Sequence, residues 1–360
     1  KQTIEVTGVQ PNTHTVTVNS GTLEGGAASG SYAVGSSVSI AAGTPPDGLV
    51  FDKWTGDGVT FDNAASANTT FTMLNNDVTV TARTMWPLKT AGRTGRPCMV
   101  RIPHMRNWSP EDPFLYDVHI KMGNDSVESY FAMRKIEVKN DKNGIPRIFL
   151  NNKPYFQKGA LDQGYWPDGL YTPPCDEAMI YDIQKMKDLG FNMIRKHIKI
   201  EPQRWYYHCD RIGMLVWQDM VNGGREYKSW YVTWLATAME GTHIRAKDTR
   251  LHLMGRQDPT GQKQFESEMK ETIRRLYNHP SVVTWVIFNE GWGQFKTRKM
   301  TDIALAEDHT RLIDSASGWF DQGCGDIKSI NDYFFPLNIT PEKRVTALTE
   351  FGGYSLQIPK

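Results

Sequence analysis

From about residue 147 onward, short apolar runs alternate with helix-like segments, and this alternation restricts the fold more than any other feature of the chain. Residues 176–189 place Met179, Ile180, Ile183, Met186 and Leu189 on one face at helical spacing, and Gly190 follows as a stop. Residues 191–197 read as a strand. Residues 201–212 read as a helix with Pro202 in its first turn and Gly213 behind it, and 214–219 as the next strand. Residues 265–278 carry Phe265, Met269, Ile273 and Leu276 as an apolar helical stripe. Residues 281–289 (SVVTWVIFN) are almost continuously apolar, the mark of a strand buried on both faces. Residues 301–317 read as a helix, and 158–161, 319–325, 327–333 and 344–350 as further strands. Repeated βα units imply a parallel sheet, and this many point to a (β/α)8 barrel more than to an open sheet.

Ahead of that region the texture differs. Residues 1–84 alternate β-branched and small residues in HTVTVN, SVSIAA and DVTVTA, separated by Gly, Ser, Asn and Pro clusters that signal turns. Three basic and seven acidic residues give this segment its own negative balance within a chain of net charge +1. Its pattern (TVTVNSGT, then GSYAVGSSVSIAAGTPPDGLVFDKWTGDGV, then TTFTMLNNDVTVTA) resembles the bacterial internalin-B-type repeat domain. Such a unit implies an exported bacterial protein, extracellular, cell-surface or periplasmic, with the repeat serving as a stalk or in adhesion. Residues 85–146 open as an aperiodic linker. They continue into strand-like PFLYDVHIKM and SVESYFAMRKIEV around Gly123-Asn124-Asp125, enough for part of a β-sandwich. The expected organisation is thus multidomain: an all-β repeat domain at 1–84, a linker and partial immunoglobulin-like β-sandwich at 85–146, and a TIM-type barrel at 147–360.

Several function classes find no support in the sequence. The near-zero net charge gives no general attraction to nucleic acid, and no apolar run reaches the roughly 18–20 residues of a membrane span. The four cysteines lie far apart without a CxxC pair, so neither a zinc site nor a disulfide framework is expected. No HExxH, Walker loop, GxGxxG after a strand or GxSxG elbow occurs. No metal or cofactor is expected. Eleven tryptophans can supply sugar-stacking faces or fill a core, and composition alone does not choose.

In a (β/α)8 barrel the active site lies at the carboxyl ends of the strands, so polar residues that close apolar strands are the ones to inspect. Four strands end in such groups: His197, Asp219, Glu290 and Glu350. Two carboxylates at one barrel mouth are what glycoside hydrolysis needs, one protonated to serve the leaving oxygen and one ionised to attack the anomeric carbon. Mutual repulsion and unequal burial would separate their pKa values and so their roles.

Those residues also carry a resemblance. Residues 134–358, through FNEGWGQF and LTEFGGYS, resemble glycoside hydrolase family 2, which includes β-galactosidases, β-glucuronidases and β-mannosidases. The resemblance implies a retaining hydrolase of terminal β-linked sugars, with Glu290 as acid/base and Glu350 as nucleophile. It implies that Asn289 holds the sugar 2-hydroxyl, that His197 binds the sugar and that Tyr333 bonds the nucleophile. Asp219, which would order the pocket or a neighbouring arginine, and Trp292 complete the candidate substrate-binding set, while Arg195 and Lys196, which could face the site or pair with barrel carboxylates, receive no role. Asp162, in GALDQGYWPDG, stands where galactosidase members carry an Asn-Arg-His-Glu type motif, so the sugar is left open. The chain reaches Lys360 ten residues after Glu350, which leads us to expect a barrel lacking its last unit. The alternative reading is a non-catalytic surface or carbohydrate-binding protein.

Overall fold

The computed structural model describes residues 12–85, 87–102, 105–239, 246–333 and 339–352. The chain divides into two compact units, residues 1–103 and 104–360. The first unit is all β: β1 (Thr13–Asn19), β2 (Gly21–Leu23), β3 (Ser29–Ala33), β4 (Ser37–Ala42), β5 (Val50–Thr55), β6 (Asn68–Thr72) and β7 (Val78–Met85). These strands form two sheets, ordered β3-β1-β7-β5 and β2-β4-β6. Period-two alternation buries Val16 and Val18 of β1 and Val78, Val80 and Ala82 of β7, leaving threonines between them toward solvent. Their core partners are Val38, Ile40, Phe71 and, at the centre, Trp54. The Trp54 indole donates to the Ser66 carbonyl at 3.1 Å, so its one polar atom is satisfied inside the core. Gly21 is required beside it: a Cβ there would lie 2.7 Å from the Trp54 ring and 2.5 Å from the Ala41 carbonyl oxygen.

The second unit begins with a hairpin, β8 (Tyr116–Met122) and β9 (Asp125–Phe131), and a three-stranded antiparallel sheet of β10 (Ile136–Asn140), β11 (Pro146–Leu150) and β12 (Lys153–Pro154). Ile136, Ile148 and Leu150 turn toward the barrel and pack with Trp108 against Leu215, Val283, Leu312, Ile327 and Val345. Those five are the opening residues of barrel strands or lie next to them, so the sheet forms the barrel floor. Arg134 pins the arrangement by donating to the carbonyls of Pro280 (2.9 Å), Thr310 (3.0 Å) and Val282 (2.7 Å).

The barrel strands are β13 (Gly159–Asp162), β14 (Met193–Lys196), β15 (Leu215–Asp219), β16 (Val282–Val286), β17 (Leu312–Asp314), β18 (Ile327–Asp332) and β19 (Val345–Phe351). The first five pair in chain order, all parallel, and β18 pairs parallel with β19. These seven are the barrel strands among the described residues. Outside them lie α1 (Asp176–Asp188), α2 (Gln203–Ile212), a short α3 (Ala236–Met239), α4 (Pro259–Leu276) and α5 (Thr297–Glu307). Met179, Ile183, Met269, Ile273, Met300 and Ala304 form the helical side of the main core, against Ile194, Val216, Val282 and Trp285. Every residue of β16 is buried, which explains its unbroken apolar run.

Two expected elements are corrected. Residues 301–317 do not form one helix: α5 ends at Glu307 and β17 begins at Leu312. The Asp308 carboxylate stops the helix by accepting from the Thr310 amide (2.8 Å), the Trp285 indole (3.0 Å) and Arg311 (2.8 Å), with extended backbone at Asp308 itself. Residues 319–325 form a loop, because Phe320, Gly323 and Gly325 all take positive φ. No helix of the described residues is long and apolar enough to cross a membrane. We predict that Trp54→Ala destabilises the repeat unit by about 3–5 kcal/mol, read as faster hydrogen exchange of β1 and β7 amides in the full chain.

Candidate active site

The site grows from the ends of the parallel strands. Beyond β16 the chain stays in line: the Ile287 amide donates to Asp314 O at 2.9 Å and the Glu290 amide to Ser317 O at 3.1 Å. At Glu290 the backbone turns sharply, with φ of 50° at Glu290 and 77° at Gly291. A positive φ at a glutamate costs energy and persists only when its surroundings hold it. Here the carboxyl is anchored, since Glu290 Oε1 accepts from Asn331 Nδ2 at 3.0 Å and from the Tyr333 hydroxyl at 3.2 Å.

Glu350, on β19, faces it. Its Oε1 accepts from Arg195 at 2.8 Å and its Oε2 from the same Tyr333 hydroxyl at 2.5 Å. The two facing carboxyl oxygens therefore stand no farther apart than those two Tyr333 bonds laid end to end. That is short of the roughly 6.5–9.5 Å of inverting glycosidases and compatible with the about 5–5.5 Å of retaining ones.

A phenol carries one hydrogen, so Tyr333 cannot donate to both carboxylates at once. A proton on Glu290 would let both contacts be satisfied, with Tyr333 donating to Glu350. Electrostatics point the same way: burial, then the charge of Glu350, raise the Glu290 pKa. Burial and the bond to Glu350 raise that of Tyr333, so the phenol keeps its hydrogen.

Beneath the pair lies Arg195 of β14, 2% exposed. Its Nε and Nη2 form a two-pronged ion pair with Asp219, both bonds at 2.9 Å, Nη2 also donates to Asn289 Oδ1 at 2.9 Å, and Nη1 reaches Glu350. Burial opposes the Arg195 charge, and the Asp219 and Glu350 carboxylates outweigh it.

The expected site residues fall into two groups. Glu290, Glu350, Tyr333 and Asn289 converge, the last through Arg195. His197 lies half-buried in the field of Asp219, Arg195 and Glu350. Burial lowers its pKa, and its Nε2 has no hydrogen-bond partner among the described residues. Asp219 is 1% exposed and both its oxygens accept from Arg195, so it orders that arginine. Trp292 donates its indole hydrogen to Arg225 O at 3.2 Å. Asp162 accepts from Lys196 at 2.6 Å, and Lys196 also pairs with Glu201 at 2.9 Å. Arg195 and Asn331 are the contributors the motifs did not assign. The signal for Arg195 was present: an arginine inside an apolar barrel strand must be paired to be tolerated.

Two family models match the chain. Residues 12–83 match the divergent InlB B-repeat domain, and residues 174–346 match the glycosyl hydrolases family 2, TIM barrel domain. Residues 174–346 are thus a family 2 glycosyl hydrolase barrel domain. The chain aligns with a putative β-glucuronidase of Formosa agariphila, 26% identical over 217 residues, 59% of this chain and 18% of that protein. It also aligns with a β-galactosidase of Oenococcus oeni, 29% identical over 194 residues, 52% of this chain and 16% of that protein. The chain spans less than a fifth of the length of these curated relatives. The structure of a β-D-glucuronidase from Dictyoglomus thermophilum superposes with a TM-score of 0.50 at 16% identity, covering 89% of this chain and 48% of that one, a likeness of fold.

Two predictions follow from the charges in this family 2 site. Arg195→Met strands Asp219 in the interior and should cost about 3–5 kcal/mol in urea denaturation. Glu290 binds its proton more tightly folded than unfolded. Its contribution to stability is therefore complete below the ordinary value of 4.5 and is lost as pH rises through the raised native value. Glu290→Gln should flatten the fall in melting temperature over that window and melt higher than wild type above it.

Proposed function

We propose that this chain carries the catalytic centre of a retaining β-glycosidase acting on terminal β-linked sugars, with a carbohydrate such as a β-glycoside or oligosaccharide as its substrate. The observation that carries the reading is the shared Tyr333 hydroxyl, which stands within hydrogen-bond distance of both Glu290 and Glu350. In the first step a Glu350 oxygen bonds to the anomeric carbon. The bond to the leaving oxygen breaks with its electron pair on that oxygen, which takes the proton of Glu290. In the second step water gives a proton to Glu290 and attacks the same carbon, and the bond to Glu350 breaks. Two inversions give net retention. In this reading Asn289, whose Oδ1 accepts from Arg195, meets the sugar 2-hydroxyl, and His197, whose buried Nε2 has no partner among the described residues, contributes to sugar binding.

The relatives named β-galactosidase and putative β-glucuronidase support a galactosidase-like specificity without separating a neutral sugar from a uronate. The repeat unit supports an exported, cell-surface placement. It also favours the second reading, a surface protein whose barrel binds sugar without turning it over.

A panel of p-nitrophenyl β-glycosides separates the two. The glycosidase reading expects turnover by wild type and loss by at least about 10⁴-fold in Glu350→Ala. Glu290→Ala should lose about 10²–10⁴-fold on poor leaving groups and far less on activated ones. The alkaline limb of kcat/KM should report Glu290, above the ordinary glutamate value. Folded wild type that binds a glycoside and never hydrolyses it would leave the binding reading.

A further inference from the structure

Strands β8 and β9 form a sheet of their own. They pair with each other along their whole length, from Tyr116 opposite Phe131 to Met122 opposite Asp125, and no third strand joins them among the described residues. The turn between them is Gly123-Asn124, a two-residue connection with φ of 61° at its leading glycine. In such a hairpin the residues flanking the turn exchange both backbone bonds, and opposite pairs alternate from there. Ile120, Val118 and Tyr116 therefore direct their N–H and C=O groups to β9. Asp117, His119 and Lys121 direct theirs outward, along an edge that no strand covers among the described residues.

That edge is complementary to itself. When β8 is laid antiparallel against a second copy with His119 at the two-fold axis, Asp117 falls opposite the second copy's Lys121, and Lys121 opposite its Asp117. All three outward residues are then matched, each pair exchanging two backbone bonds. Val118 falls opposite Ile120 in the closer pairs, with Cα atoms about 4.5 Å apart. Ile120 is 55% exposed, and Val127 across from it on β9 is 51% exposed, so pairing joins the open apolar residues of two hairpins into one strip. Within one hairpin Asp117 lies opposite Tyr130 and Lys121 opposite Ser126, so neither charge faces its complement directly across. The outer edge of β9 lacks this fit. Its outward groups belong to Ser126, Glu128 and Tyr130, and the same operation would set Glu128 against Glu128. Tyr130 is moreover bound to the barrel, donating its hydroxyl hydrogen to Asp210 at 2.7 Å.

We propose that β8 is a self-pairing edge through which two copies of this chain associate, antiparallel about His119, into one continuous sheet ordered β9-β8-β8-β9. The contact is a single pair of strands, so the association is weak and reversible. Opposite charges directly across an antiparallel pair stabilise it and like charges destabilise it, and this fixes the register. The association does not depend on what the barrel catalyses.

The test is sedimentation velocity of the full chain over the widest concentration range its solubility allows, at low salt. Wild type should show a concentration-dependent equilibrium between monomer and dimer. Asp117→Lys and Lys121→Asp each set like charges across the two-fold axis and should weaken the dimer by about tenfold or more. The double exchange restores opposite charges and should recover the wild-type equilibrium. Hydrogen exchange of wild type reads the same contact without any variant. The Asp117, His119 and Lys121 amides should slow as concentration rises, while those of Val118 and Ile120, already bonded to β9, should not change. Wild type that stays monomeric throughout overturns the proposal. So does a dimer whose β8 amides do not slow, or one that the single exchanges leave as strong as wild type at an unchanged melting temperature.

Discussion

A guanidinium buried in the middle of a barrel organises everything above it. Arg195 issues from β14 and binds Asp219 at the end of β15, Asn289 just past β16 and Glu350 on β19. One side chain thus ties the carboxyl ends of four strands that are far apart in sequence. Removing such a charge from water costs several kcal/mol unless its partners are in place, so the cation and its three acceptors stand or fall together. Two carboxylates already share this one positive charge. A further negative charge on Glu290 is disfavoured by burial and by Glu350, which is why its proton is held more tightly than usual. In the proposed mechanism the division of labour between the two glutamates rests on that unequal supply of positive charge.

The rest of the second unit keeps that arrangement in register. The β10–β11–β12 sheet fills the floor, and Arg134 fastens the chain ahead of it to three carbonyls near the starts of β16 and β17. Above, Tyr333 and Asn331 from the end of β18 reach back to Glu290. The positive φ of Glu290 is affordable only in this setting, because the backbone bonds to Ser317 on one side and the carboxyl bonds on the other fix the turn between them.

Much of this was legible in the sequence. The unbroken apolar run of β16 and the amphipathic stripes of α1, α2 and α4 declare buried strands and outer helices through elementary periodicity. The two candidate glutamates stand out because in sequence each follows an apolar strand-like run. What sequence concealed depends on tertiary pairing. The break at Asp308 was hidden because residues 301–317 keep enough apolar residues for a helix, and only the converging donors Trp285, Thr310 and Arg311 show why the chain stops there. Asp219 left two readings open, ordering the pocket or ordering a neighbouring arginine, because a strand-ending carboxylate looks alike in sequence whether it faces solvent or a buried arginine.

The central claim is that Glu350 attacks the sugar while Glu290 holds the proton. It is tested most directly by reacting the protein with a 2-deoxy-2-fluoro β-glycosyl fluoride, whose fluorine slows breakdown of a glycosyl-enzyme, and locating the adduct by peptide mass spectrometry. The account predicts a single stoichiometric adduct on Glu350, abolished by Glu350→Gln. Turnover of the parent β-glycoside with an adduct on any other residue, or without an adduct and with an inverted anomeric product, would contradict it.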